Sequence, residues 1–151
     1  MYFIDRNQIE KALTHMEELV ALYKKEENWS EDLIHSLALT RLTHVVIEAI
    51  IDVGNTMIDG FIMRDPGSYE DIIDIMEDEK VITTEMATSI KQVIGLRQMI
   101  VREFIEVDTA KISKVLNASY EALELFPAKV RHYVEHELGP VSAFLPADDA
   151  K

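Results

Sequence analysis

The chain has 151 residues, a formal charge of −13 and no cysteine. That charge argues against a general nucleic-acid binder, because phosphate contacts need clustered Lys and Arg, although a local basic cleft remains compatible with it. Disulfide and thiol chemistry are excluded, and a 48% apolar composition with five Gly and four Pro fits one domain with a real core.

The predicted elements are all helices. Asp5 caps the first, with Gln8 at the capping-box position and Ile4 and Ile9 at staple positions. Its apolar face is Ile9, Leu13, Met16, Val20 and Tyr23, and the polar run Lys24 to Asn28 ends it. Ser30 is the expected cap of a very long second helix, about residues 31–63. Leu33, Leu37, Leu42, Val45, Val46, Ile47, Ile50, Ile51, Val53, Met57 and Ile58 leave it almost no wholly polar side, so several sides must be buried. In a chain this small, that suggests a second copy covering one of them. Gly54 allows a bend or a close helix contact.

One narrow stripe of this helix is polar. Arg41, His44, Glu48, Asp52, Asn55 and Asp59 follow at steps of three or four and line one edge. They form either a solvent-facing stripe or a shared polar cleft. His44, Glu48 and Asp52 also have the spacing of metal ligands within a bundle, but no His-Glu-x-x-His or Glu-x-x-His pair supports a metal. His15, His35, His132 and His136 are scattered and read as structural or surface residues.

Arg64-Asp65-Pro66-Gly67 is a turn, and Ser68 with Asp71 caps a third helix that buries Tyr69, Ile72, Ile73 and Met76 and exposes an acidic face. Thr83 and Thr84 open a fourth helix ending near Val107, with the stripe Met86, Ile90, Val93, Ile94, Ile100, Val101 and Phe104. Arg97 falls inside that stripe. A guanidinium stays charged at biological pH, so an acid must meet it, and Glu48 or Asp52 is the expected partner.

Asp108 caps a fifth helix with the core stripe Ile112, Val115, Leu116, Leu123 and Phe126. Pro127 suits the first turn of a following segment through Leu138, and Gly139-Pro140 stops it. Residues 1–140 are thus expected to form the domain and 141–151 a tail. No basic-then-apolar leader is present, and Glu48, Asp52 and Asp59 interrupt the most apolar stretch at a cost a bilayer makes steep. A soluble, cytoplasmic protein without membrane association or cofactor is expected.

Three segments carry a family resemblance: Gly95-Leu96-Arg97-Gln98-Met99-Ile100-Val101-Arg102-Glu103-Phe104, the stretch Ile47 to Asn55, and the turn Asp65-Pro66-Gly67-Ser68-Tyr69. Together they resemble the HepT-like branch of the HEPN superfamily, and most closely its small stand-alone members. The resemblance implies an antiparallel bundle of about five helices that pairs as a homodimer with its motifs lining a cleft. It also implies kinship with metal-independent ribonuclease toxins, whose partner is a minimal nucleotidyltransferase that silences them by attaching AMP to a motif tyrosine.

The family motif is an arginine, four residues, a histidine, one residue and a tyrosine. Here Arg97 is retained, but Arg102 stands at the histidine position and Phe104 at the tyrosine position. Arg102 does not release its proton near neutral pH, so it is no ordinary general base, and Phe104 has no hydroxyl to modify. The resulting expectation is a dimer that holds RNA or a nucleotide phosphate, or a regulatory partner, with weak or absent cleavage. The alternatives are an active ribonuclease using Arg97, Arg102 and a relocated base at His44, and a metal-binding bundle on His44, Glu48 and Asp52.

Overall fold

The computed structural model describes residues 4–138, and helices account for most of them. They are α1 (Arg6–Lys25), α2 (Leu33–Gly60), α3 (Tyr69–Asp78), α4 (Thr84–Ile94), α5 (Arg97–Arg102) and α6 (Thr109–Leu138). The expected stop at Gly139-Pro140 and the tail lie outside the described residues.

α2 runs through the middle of the bundle and packs against α1, α3, α5 and α6. Leu39, Ile47, Ile50, Val53 and Met57 are fully enclosed there. Its first turns differ from expectation, because Leu33, Ile34 and Leu37 are 73%, 77% and 61% exposed. Asp32, not Ser30, caps α2: its carboxylate accepts the His35 N–H at 2.8 Å.

Gly54 marks a helix contact, not a break. A Cβ there would lie 2.3 Å from Ile72 Cγ2, so α3 rests directly on the α2 backbone. Asp5, Ser68, Thr83 and Asp108 cap as the sequence predicts, each accepting an N–H three residues on. Gln8 does not complete the capping box; its amide reaches Asp52 Oδ2 at 2.9 Å and ties α1 to α2.

Two boundaries depart from the sequence reading. The fourth helix is interrupted at Gly95–Leu96, where Leu96 N–H bonds to Val93 O one residue early, and α5 then ends at Arg102 instead of near Val107. α6 runs unbroken through Pro127, which is buried inside it. The lost N–H is offset because Leu123, Phe126, Val130, Val134 and Leu138 keep one stripe against the core across the proline. With α4 and α5 as halves of one interrupted helix, the bundle has the expected five.

Polar ties hold the outer faces together. Arg131 on α6 reaches α1, donating to Glu10 at 2.6 and 3.0 Å and to Glu17 at 2.9 Å. The Tyr23 hydroxyl donates to Asn117 Oδ1 at 2.6 Å, and the Trp29 indole N–H donates to Tyr23 O at 3.2 Å. The end of α1, the approach to α2 and the first half of α6 therefore meet at one end of the bundle.

Candidate functional site

Arg97 is the first residue of α5, immediately after the interruption. Leu96 and Ile100 bury on either side of it and seat the short helix against the core. Arg97 is left across from the polar edge of α2. The acid that meets it is Glu48: Arg97 Nε donates to Glu48 Oε1 at 2.8 Å. The Arg97 pKa is raised, first by this hydrogen bond and against the opposing pull of desolvation, so its charge is fixed. Glu48 Oε1 also lies 3.3 Å from His44 Nε2, one turn back on α2.

A third contact completes the surroundings. The Arg97 Cζ stands 4.6 Å above the centre of the Tyr69 ring. Tyr69 is the first residue of α3 and is 46% exposed, so the expectation that it packs in the core is wrong. A residue at the first helical position projects beside the turn, and here it turns to the guanidinium. The visible signal was Ser68 as cap, which puts Tyr69 at the edge of the helix. Among the described residues neither Nη of Arg97 makes a hydrogen bond, and its side chain is 26% exposed. The site thus presents the outer edge of a fixed, planar cation.

The other predicted positions are not drawn in. Asp52 accepts from Gln8, not from Arg97. Arg41, Asn55 and Asp59 are exposed along α2. Arg102 is exposed at the end of α5, five residues from Arg97 and therefore roughly 140° further round the helix. The interruption precedes Arg97, so it does nothing to bring the two arginines together. Phe104 and the neighbouring Ile105 are 69% and 85% exposed. No group of three or more His, Cys, Asp or Glu side chains among the described residues converges as a metal site. His44 and Glu48 adjoin, but Asp52 is turned to α1.

Residues 9–130 match the ribonuclease HepT-like family. The chain is 47% identical over 144 residues to YutE of Bacillus subtilis strain 168, a protein named as a candidate RNase, covering 95% of this chain and 99% of that one. The chain belongs to the HepT-like family. The solved structure of YutE, described as a cytosolic protein, superposes on 95% of this chain and all of that one with a TM-score of 0.91. A tri-AMPylated HEPN toxin of Shewanella oneidensis in complex with its MNT antitoxin is similar in fold, with a TM-score of 0.70 at 19% identity, covering 87% of this chain and 99% of the toxin. In this HepT-like chain Arg97 is held by both Glu48 and the Tyr69 ring.

Proposed function

We propose that the protein is a homodimer that holds RNA by its phosphates at Arg97, with weak or absent cleavage. The single observation behind this reading is the state of Arg97: Nε is spent on Glu48, while the Nη edge is open and fixed in charge. Such an edge matches two phosphate oxygens. Cleavage by a ribose 2′-hydroxyl needs a base for its proton, and Arg102 at the motif histidine position is not one. Pairing of two copies is supported by the exposed Leu33, Ile34 and Leu37 of α2 and the exposed Phe104 and Ile105. A partner of the minimal nucleotidyltransferase type is supported by the antitoxin complex of the Shewanella protein. Phe104 offers no hydroxyl, so such a partner would act on this chain by contact instead of by AMP transfer at that position.

A second reading has its own observation. His44 Nε2 stands 3.3 Å from Glu48, the acid that holds Arg97, and this places an imidazole beside the arginine as a relocated base. Purified protein, Arg97→Ala and His44→Ala are to be compared for binding and cleavage of a labelled single-stranded RNA in EDTA. The first reading expects binding that Arg97→Ala weakens about 10- to 100-fold, the range of a charged hydrogen-bonded contact, with little product from any of the three. Cleavage abolished by either substitution would replace it with the second reading. Sedimentation showing a monomer at micromolar concentration would remove the paired site from both.

A further inference from the structure

The geometry points to Tyr69 as a positioning residue for Arg97: the ring and the Glu48 carboxylate hold the guanidinium on two sides and turn its Nη edge outward. This rests on the reading that Arg97 holds phosphate.

The two contacts use different parts of the cation. Glu48 takes the Nε–H in the guanidinium plane, and the negative face of the Tyr69 ring lies under Cζ, 4.6 Å from its centroid. A long arginine side chain has many rotamers, and a bond at Nε alone leaves it free to swing about that bond. A ring on one face stops the swing. What remains available is the pair of Nη groups, the fork that a phosphate meets with two parallel N–H bonds.

The turn before α3 is built to keep the ring there. Asp71 accepts both Nη groups of Arg64, at 2.8 and 2.9 Å, and the Gly67 N–H at 2.8 Å. Ser68 Oγ accepts the Asp71 N–H at 3.0 Å and closes the first turn around Tyr69. Three residues beyond, Ile72 seats on Gly54, where the absence of a side chain lets α3 approach α2 until no sliding room is left. The Asp65-Pro66-Gly67-Ser68-Tyr69 segment thus fixes one exposed aromatic ring against one cation, an expensive arrangement for a surface residue with only a packing role.

The test measures affinity for a short fluorescein-labelled uridine oligonucleotide by anisotropy. The variants are Tyr69→Phe, Tyr69→Leu and a series with mono-, di- and trifluorinated phenylalanine at position 69, each made with Arg97 intact and with Arg97→Ala. Fluorination drains the ring face of negative charge while keeping its shape, so the series stays folded where leucine fails to. The expected result is affinity near the parent for Tyr69→Phe, a stepwise fall across the fluorinated series, and a loss of roughly two- to fivefold for leucine, in keeping with a partly exposed cation–ring contact. All of these differences should vanish when Arg97 is alanine. A flat or rising series, in a protein where Arg97→Ala still weakens binding, overturns the inference, because fluorine only adds apolar bulk to a packing residue. If Arg97→Ala leaves affinity unchanged, the phosphate-holding reading falls and takes this inference with it.

Discussion

Arg97 carries five N–H donors, and only the Nε–H finds a partner among the described residues. The same carboxylate oxygen serves His44 and Arg97, so Glu48 both holds the arginine and competes with any phosphate for its charge. Glu48→Gln keeps an acceptor for Arg97 and removes the competition. RNA affinity should rise about fivefold at low ionic strength, since a unit charge a few ångströms away in water is worth ~1 kcal/mol, and the gain should shrink as salt is added. Titrations at two salt concentrations check it; unchanged or reduced affinity would count against phosphate at this site. The need for an acid opposite Arg97 was legible in the sequence, because a permanent cation in an apolar stripe demands one. Which acid was not legible. Glu48 and Asp52 are one turn apart on the same edge, and the choice is made by Gln8, which engages Asp52 from 44 residues away. The role of Tyr69 was hidden for a similar reason, as an aromatic residue beside Ile72 and Ile73 reads as core until the neighbouring α5 is in place.

At the scale of the helices, the side-chain caps Asp5, Ser68, Thr83 and Asp108 were readable, while Asp32 in place of Ser30 and the unusual ends were not. α2 and α3 finish in the same way, with a left-handed residue where glycine is the usual choice. Ile62 has φ 55° and Lys80 has φ 62°. The residue after each turns its N–H back to the helix, Met63 to Ile58 O at 2.9 Å and Val81 to Met76 O at 2.8 Å. Neither left-handed position holds a glycine, and Gly60 at the end of α2 stands two residues before Ile62. The interruption at Gly95 was missed for the opposite reason: the residue stays near helical geometry, φ −60° and ψ −19°, and only the hydrogen-bond register shortens. Left-handed geometry is costly for a side-chain-bearing residue and worst for a β-branched one. Ile62 is 74% exposed, so its side chain contributes little packing in return. Ile62→Gly should therefore stabilise the protein by about 0.5–1 kcal/mol after the extra chain entropy of glycine is counted, and Lys80→Gly by less. Urea denaturation should show a higher midpoint with an unchanged slope for both, in that order. A lower midpoint for Ile62→Gly would mean that the isoleucine is covered by a partner under the assay conditions.

Over the whole molecule, the helical class and the burial of α2 follow from periodicity alone, while the way distant helices are fastened does not. A long-range ion pair leaves no trace in a sequence when both partners sit on ordinary polar faces. Arg131 is the main case: one guanidinium fastens the far half of α6 to two turns of α1. Its hydrogen bonds lower the pKa values of Glu10 and Glu17, against the opposing effect of burial. A carboxyl group with a lowered folded-state pKa stabilises the fold above its unfolded pKa and loses that contribution as pH falls through the folded value. The clamp should therefore act fully near neutral pH and weaken below the ordinary carboxylate range. Both glutamates are about half exposed, at 54% and 47% of their side chains, so solvent screening holds the expected worth to about 1 kcal/mol. The Asp71–Arg64 pair should outlast it in acid, since Asp71 is held down to about 2 by Arg64 and the Gly67 N–H. Arg131→Met keeps most of the side chain's apolar stem and removes the charge. It should lower the denaturation midpoint at pH 7, and the gap to the parent should narrow as pH falls below the ordinary carboxylate range and the two glutamates lose their charge. A gap that stays constant from pH 7 to 3 would show that Arg131 stabilises by packing its stem between α1 and α6, with its charge contributing nothing.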